Sequence, residues 1–372
     1  VSGTPQAGDL LGAPRPGAVA PSFWRERRVL VTGHTGFKGA WLSLWLQELG
    51  ARVCGISLAS PPTSPSLYEL AGVGEGMEAC SACDVRDPRA LAQAVHRARA
   101  EVVIHMAAQS LVRQSLREPL ETYAVNALGT ASLLEAVRES PDTEAVVVVT
   151  SDKCYAPRAG GGGHVEQDAL GGEDPYSSSK ACAELVVAGY RDSFFSTPTR
   201  ARVASARAGN VIGGGDFSPE RLLPDVFAAA LRGEPVLLRN PDAVRPWQHV
   251  LSPLSGYLAL AQALCEREGC DCAWNFGPAE GEALAVRELV ERVSSSWDGW
   301  IDWRIDEREH PPENQSLRLD STRARVELGW EPLCTLEQGI AWTVEWYRAH
   351  GAGEDLREAT LRQLPRLGER VF

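Results

Sequence analysis

The sequence predicts an α/β fold: a Rossmann-type parallel sheet with helices on both faces, and a smaller C-terminal substrate-binding lobe. Short apolar runs alternate with segments of helical periodicity from residue 28 to residue 150, as in sheets whose strands are buried on both faces. A glycine motif, Thr32-Gly-His-Thr-Gly-Phe-Lys-Gly39, joins the first run to the first helix. Beyond about residue 210 the regularity gives way to Gly213-Gly-Gly215 and to Pro219, Pro224, Pro235, Pro241 and Pro246, which break the chain into short elements and loops.

In order, residues 28–32 (Arg-Val-Leu-Val-Thr) read as a buried strand, and residues 40–49 carry apolar side chains at helical spacing with Gly50 as the stop. Residues 52–58 and 77–84 are the second and third strands, 88–99 a helix, and 101–105 (Glu-Val-Val-Ile-His) the fourth strand. A long helix follows over 118–139, then the strand 145–150 (Ala-Val-Val-Val-Val-Thr). Residues 1–22, rich in Gly, Pro and Ala, lack the basic start and apolar core of a signal peptide and read as a disordered leader. Residues 23–209 form the dinucleotide domain with the catalytic groups. Residues 210–350 form mainly the substrate lobe, with crossings between lobes, and 351–372 form a tail. Gly160 to Gly163 is a flexible insertion beside the catalytic region.

The 372 residues suffice for a sizeable core, and 44% hydrophobic and 23% charged residues are ordinary for a soluble globular chain. A net charge of -12 argues against general binding to nucleic acid or anionic membranes, while permitting a local basic pocket for phosphate. Among nine cysteines, Cys80-Ser-Ala-Cys83 has the gap of a metal knuckle, but no second Cys/His pair follows at finger spacing. No metal is expected; reduced thiols of a cytoplasmic protein are the better reading. No run of roughly 18 apolar residues could span a bilayer.

In the glycine motif, Gly33 lets the chain turn, Gly36 lets main chain approach a pyrophosphate, and Gly39 lets the helix lie close on the sheet. Thr35, Phe37 and Lys38 complete the loop. An acidic residue for the ribose is expected some 20 positions on, but Gly55-Ile-Ser-Leu58 stands there, so these residues do not choose between NAD and NADP. Asp84-Val85 is placed to meet the adenine amine, and Ala107-Ala108-Gln109 to line the cofactor. Asn126 is expected to organise the backbone around the catalytic lysine, and Thr150 to lie along the cofactor.

Tyr176 and Lys180, four apart, share a helix face. A lysine beside a tyrosine stabilises the phenolate, and Ser151 would hydrogen-bond the reacting oxygen. Asp152 and Lys153 are an acid and a base with no use in simple hydride transfer, which suggests an elimination. Lys153 must be neutral to act as a base, and a turn must begin here if both neighbours are to face one substrate.

With these motifs the chain resembles the extended short-chain dehydrogenase/reductase family over about residues 23–347. Ser151-Asp152-Lys153 looks like the active-site element of its nucleotide-sugar 4,6-dehydratases. Most relatives acting on dTDP-glucose or GDP-mannose have Glu at the lysine position. Lys153, His34 to Gly39, Gly209-Asn-Val-Ile-Gly-Gly-Gly-Asp216, Arg245-Pro-Trp-Gln-His249 and the segment 314–332 are similar to the CDP-glucose branch. The resemblance implies NAD as cofactor, a CDP-glucose substrate, and a homodimer or homotetramer. It also implies the chemistry: Tyr176 takes the 4-hydroxyl proton as C4 is oxidised, Lys153 removes the C5 proton, and Asp152 protonates the departing 6-hydroxyl. Arg221 and Arg245 are expected to clamp the diphosphate, with Asn210 nearby and Arg113 at the entrance. The competing readings are a 4,6-dehydratase acting on another nucleotide hexose (dTDP or GDP), disfavoured by Lys153, and a 4-epimerase using Ser151, Tyr176 and Lys180, with a cofactor fold devoid of chemistry behind them.

Overall fold

A computed structural model describes residues 19–158, 162–197, 201–279, 281–297, 301–308 and 317–364. Six strands, β1 (Arg28–Thr32), β2 (Arg52–Ser57), β3 (Ala79–Ala82), β4 (Val102–His105), β5 (Ala145–Val149) and β6 (Arg202–Arg207), form one sheet with the strand Ala273–Asn275. Across the sheet the order is Ala273–Asn275, β6, β5, β4, β1, β2, β3, and every neighbouring pair is parallel. Val29 and Val31 of β1 face one apolar cluster with Trp41 and Leu44, while Leu30 faces another with Leu91 and Leu134. Both faces are thus covered, which is why the strands are almost wholly apolar. The order reverses between β1 and β4, leaving a crevice beyond their carboxyl ends.

The first helix, Phe37–Glu48, starts a turn earlier than the periodicity suggests because Gly36 caps it from an extended conformation. Trp41 and Trp45 on it are buried core residues. The third strand is shorter than expected, four residues at a sheet edge. The long helix runs as Pro119–Tyr123 and Gly129–Arg138 joined by a π-helical turn, Ala124–Leu128, that contains Asn126.

The second lobe contains the helix Leu222–Arg232, the parallel pair Val236–Leu238 and Trp303–Ile305, and the antiparallel pair Val244–Pro246 and Ala283–Ala285. Strand Ala273–Asn275 returns to the main sheet, a crossing of the expected kind. Two expected boundaries move. Val19 and Ala20, inside the expected leader, are buried ahead of a helical turn, Pro21–Trp24; residues 1–18 lie outside the described residues. The expected tail is packed to Leu364: helix Leu356–Leu361 buries Leu356 and Ala359, and Thr360 accepts the Trp346 indole N–H at 2.9 Å. Of the glycine run, Gly160 and Gly161 lie outside the described residues.

Candidate active site

The crevice opens into a cleft of about 1390 Å³ that runs from the glycine loop, past β4 and β5, to the second lobe. One wall is main chain. Gly33 turns with φ +73°, and a Cβ there would lie 2.8 Å from the Ala107 nitrogen. A Cβ on Gly39 would lie 2.1 Å from the Gly33 carbonyl oxygen, so loop and helix close only without one. A Cβ on Gly36 would meet only that carbonyl, at 3.4 Å; this glycine faces the cleft at the helix N-terminus, where amides and dipole favour a phosphate. The cradle therefore fits a dinucleotide.

At the end of β2, where a ribose-binding carboxylate is usual, Ser57 shares a hydrogen bond of 2.6 Å with Thr35. Asp84 lines the cleft beside Val85, but Arg86 grips its carboxylate from Nε at 2.9 and 3.0 Å, and this bonding holds its pKa below the usual range. A base placed here meets an Asp84–Arg86 pair in place of the open carboxylate expected. Ala107 and Ala108 line the crevice, and Gln109 folds its side chain onto Leu111 and Thr122. The Asn126 amide clamps the Gln109 main chain at 2.9 and 3.0 Å and donates to Ser179, the residue before Lys180, at 2.9 Å, so it also holds the cofactor-side loop.

The other wall is made of side chains. β5 ends at Thr150-Ser151, and a 3-10 turn, Asp152–Cys154, begins at once with Ser151 as its cap, accepting the Lys153 amide at 3.2 Å. This is the turn that two adjacent functional side chains require; Asp152 is buried and Lys153 half-buried, and both line the cleft. Ser151 donates to Asp152 at 3.0 Å, and Asn210 donates to the other carboxylate oxygen at 3.3 Å. Asn210 sits at φ +49°, meets the acid and lines the cleft. Beside it, a Cβ on Gly209 would lie 1.9 Å from the Asp152 carboxylate; this glycine makes room for the acid.

Helix Pro175–Phe194 presents Tyr176 and Lys180 to the same wall. Tyr176 lies close enough to Ser151 for the hydroxyl to pull its pKa down, and Lys180 donates to the Val149 carbonyl at 3.4 Å. Burial pushes Tyr176 up to about 12 against the pull of Ser151, and pushes Lys180 down to about 8. Desolvation dominates at Tyr176, and the charge that pulls against it is Arg221, not the expected Lys180. One turn on, Glu184 accepts from Thr150, from Ser205 at 2.7 Å and from Arg207 at 2.6 Å, and its charge partly restores the Lys180 pKa. Thr150 thus turns its hydroxyl into this buried network. Sequence reasoning missed Glu184, although the 176/180/184 spacing carried the signal.

Lys38 leaves the glycine loop for the second lobe, donating to Tyr257 at 3.0 Å; burial, with Arg221 and Lys180 adding, lowers it to about 7. Arg221 bonds Asp216 and Ser110, each at 3.1 Å, and Arg113 lies 3.8 Å from Glu220. Arg245 is buried and donates to the Val244 carbonyl at 3.2 Å. All three arginines line the cleft. Among the described residues there is no group of three metal-ligating side chains, and no helix is long and apolar enough to cross a membrane.

A CDP-glucose 4,6-dehydratase of Salmonella typhimurium is 44% identical over 92% of this chain and 96% of its own length. A dTDP-glucose 4,6-dehydratase of Xanthomonas campestris is 28% identical over 86% of this chain and 92% of its own. The dTDP-glucose 4,6-dehydratase DesIV of Streptomyces venezuelae, solved with NAD bound, superimposes with a TM-score of 0.73 at 25% identity, covering 89% of this chain and 99% of that one. The GDP-mannose 4,6 dehydratase family model matches residues 30–343, and the chain belongs to that family.

Proposed function

We propose that this chain converts CDP-glucose to CDP-4-keto-6-deoxyglucose with NAD. The carrying observation is the capped turn after β5, which brings Asp152 and Lys153 to the wall that holds Ser151 and Tyr176. NAD bound in the glycine cradle would take the hydride from C4 and return it to C6. Tyr176 accepts the 4-hydroxyl proton, with Ser151 beside it on the same wall. The ketone at C4 acidifies C5; Lys153 takes that proton, and Asp152 protonates the 6-hydroxyl as it leaves. Lys153 then returns its proton to C5, and the proton that Tyr176 gained replaces through solvent the one that Asp152 gave, so the net change is loss of water. Arg221 and Arg245 neutralise the diphosphate, and Arg113 flanks the entrance. The 44% identity to the Salmonella enzyme supports CDP as the nucleotide.

The test is turnover of CDP-glucose with catalytic NAD in deuterated water, read by NMR. A 4-keto-6-deoxy product with deuterium at C5 and no accumulated NADH is expected. A 4-epimer without solvent deuterium would hand the site to an epimerase and make the acid–base pair structural.

The active form is a homodimer or homotetramer in this reading. Neighbouring helices leave Leu120, Leu128 and Leu185 exposed at 84%, 65% and 62%, more apolar side chain than a lone surface favours. Mass photometry at nanomolar protein checks this. A cytoplasmic location is supported by nine free cysteines.

A further inference from the structure

Nucleotide sugars of this class share a diphosphate and a hexose, so selection among bases belongs to the end of the cleft far from the catalytic turn. On the second-lobe side of the cleft Leu222 and Leu237 line the walls, and Leu237 is 49% exposed although it lies on a strand. Apolar walls with a few placed polar groups are what a base needs.

Two charged side chains interrupt this apolar lining: Asp225 in the first turn of helix Leu222–Arg232, and Arg239 just after strand Val236–Leu238. Nearby carboxylates of the cleft are already engaged. Asp216 holds Arg221 at 3.1 Å and the Ser218 amide at 3.0 Å; Glu220 holds Arg117 at 3.2 Å. Asp225 differs: it is half-buried, accepts a main-chain bond from Glu220, and forms no ion pair with any described side chain. Burial raises its pKa, and the charge of Arg239 pulls it back only in part. It is an acceptor short of donors. Arg239 donates to the Glu220 carbonyl at 2.8 Å, which fixes its head while leaving further N–H groups to give.

We propose that Asp225 and Arg239 read the base, Asp225 accepting from the 4-amino group of cytosine and Arg239 donating to its ring N3. This rests on the CDP-glucose reading above. Cytosine offers a donor beside an acceptor, which a carboxylate beside a guanidinium complements. Uracil and thymine offer a carbonyl beside an N–H, the reverse order, so both contacts become repulsive. Sites that bury polar groups reject ligands unable to pair them by up to ~10⁴-fold; for a half-exposed pair we expect ~10²-fold.

The experiment is calorimetric titration of CDP and of UDP into NAD-loaded protein: wild type, Asp225→Asn, Asp225→Ala and Arg239→Gln. Wild type should prefer CDP by ~10²-fold. Asp225→Asn, whose amide can donate as well as accept, should bring the two nucleotides within ~3-fold, chiefly by gaining UDP. Asp225→Ala and Arg239→Gln should approach the same ratio by losing CDP. Unchanged NAD affinity verifies the fold of each variant, and any one folded variant suffices to decide. Preference retained in the folded variants overturns this assignment and leaves the dehydratase reading intact. A wild type that does not distinguish CDP from UDP overturns both.

Discussion

The two walls of the cleft solve the same problem with opposite materials. On the cofactor side, close approach is achieved by main chain against main chain: Gly39 against the Gly33 carbonyl, Gly33 against Ala107. On the chemical side it is main chain against side chain: Gly209 against the carboxylate of Asp152. A backbone neighbour cannot retreat without undoing a strand or helix, whereas a carboxylate can rotate away. The first wall is therefore rigid to substitution, and the second is deformable at a cost in chemistry.

One added methyl on each wall tests this contrast. Gly39→Ala puts a carbon 2.1 Å from main-chain oxygen, an overlap that costs about 1–3 kcal/mol or more in a packed site. Calorimetry should find NAD binding abolished, with the melting temperature lowered. NAD bound at wild-type strength would break the comparison.

Asp152→Asn comes next and leaves both walls in place. It removes the acid for the 6-hydroxyl, and net dehydration should fall by ~10³-fold. C4 oxidation depends on Tyr176, so mixing with CDP-glucose should still produce the NADH absorbance, now persistent. Near-wild-type dehydration would assign Asp152 to structure alone.

Gly209→Ala is the softer counterpart. Its methyl would lie 1.9 Å from the carboxylate, which must swing off the bonds from Ser151 and Asn210. Dehydration should fall by ~10²-fold, within the range of a misplaced general acid, at unchanged NAD affinity. Loss of NAD binding here would show that the second wall is as rigid as the first.

Legibility in the sequence divides along the same line. The sheet, its buried strands and the glycine loop were legible because main-chain close approach demands glycine at fixed local spacing, and strands covered on both faces demand apolar runs. Tyr176, Lys180 and the run Ser151-Asp152-Lys153 were legible as local spacings too, whereas the turn that brings Asp152 and Lys153 to one wall was only a requirement until the structure supplied it. Gly209 was visible only as part of a motif; its reason, a carboxylate 57 positions earlier, exists only in three dimensions. The π-turn that aims Asn126 at Gln109 leaves no composition signal, because it changes one hydrogen-bond step and no residue type. Nor could spacing show that Arg86 engages Asp84, or that Lys38 reaches Tyr257 across 219 residues. The burial of Val19 and of Leu364 was missed because Gly/Pro-rich and polar ends look alike whether or not they find a groove.

The smallest effect concerns the charge buried where the walls meet. Burial lowers Lys180 from 10.5 to about 8, with Glu184 and Cys154 opposing the fall. Between pH 8 and about 10.4 the unfolded chain keeps a proton that the folded chain has released. More protons on the unfolded side means that stability rises with pH from this group, and that its penalty is present in full below pH 8. Buried cysteines act oppositely in the same window, because burial raises thiols such as Cys154 and Cys265. The difference between wild type and Lys180→Met isolates the lysine. Denaturant unfolding from pH 7 to 9.5 should show Lys180→Met gaining stability over wild type at pH 7, with the advantage shrinking as pH rises through 8. A constant difference would place the Lys180 ammonium in a solvated setting, and the meeting point of the walls would then be open to water.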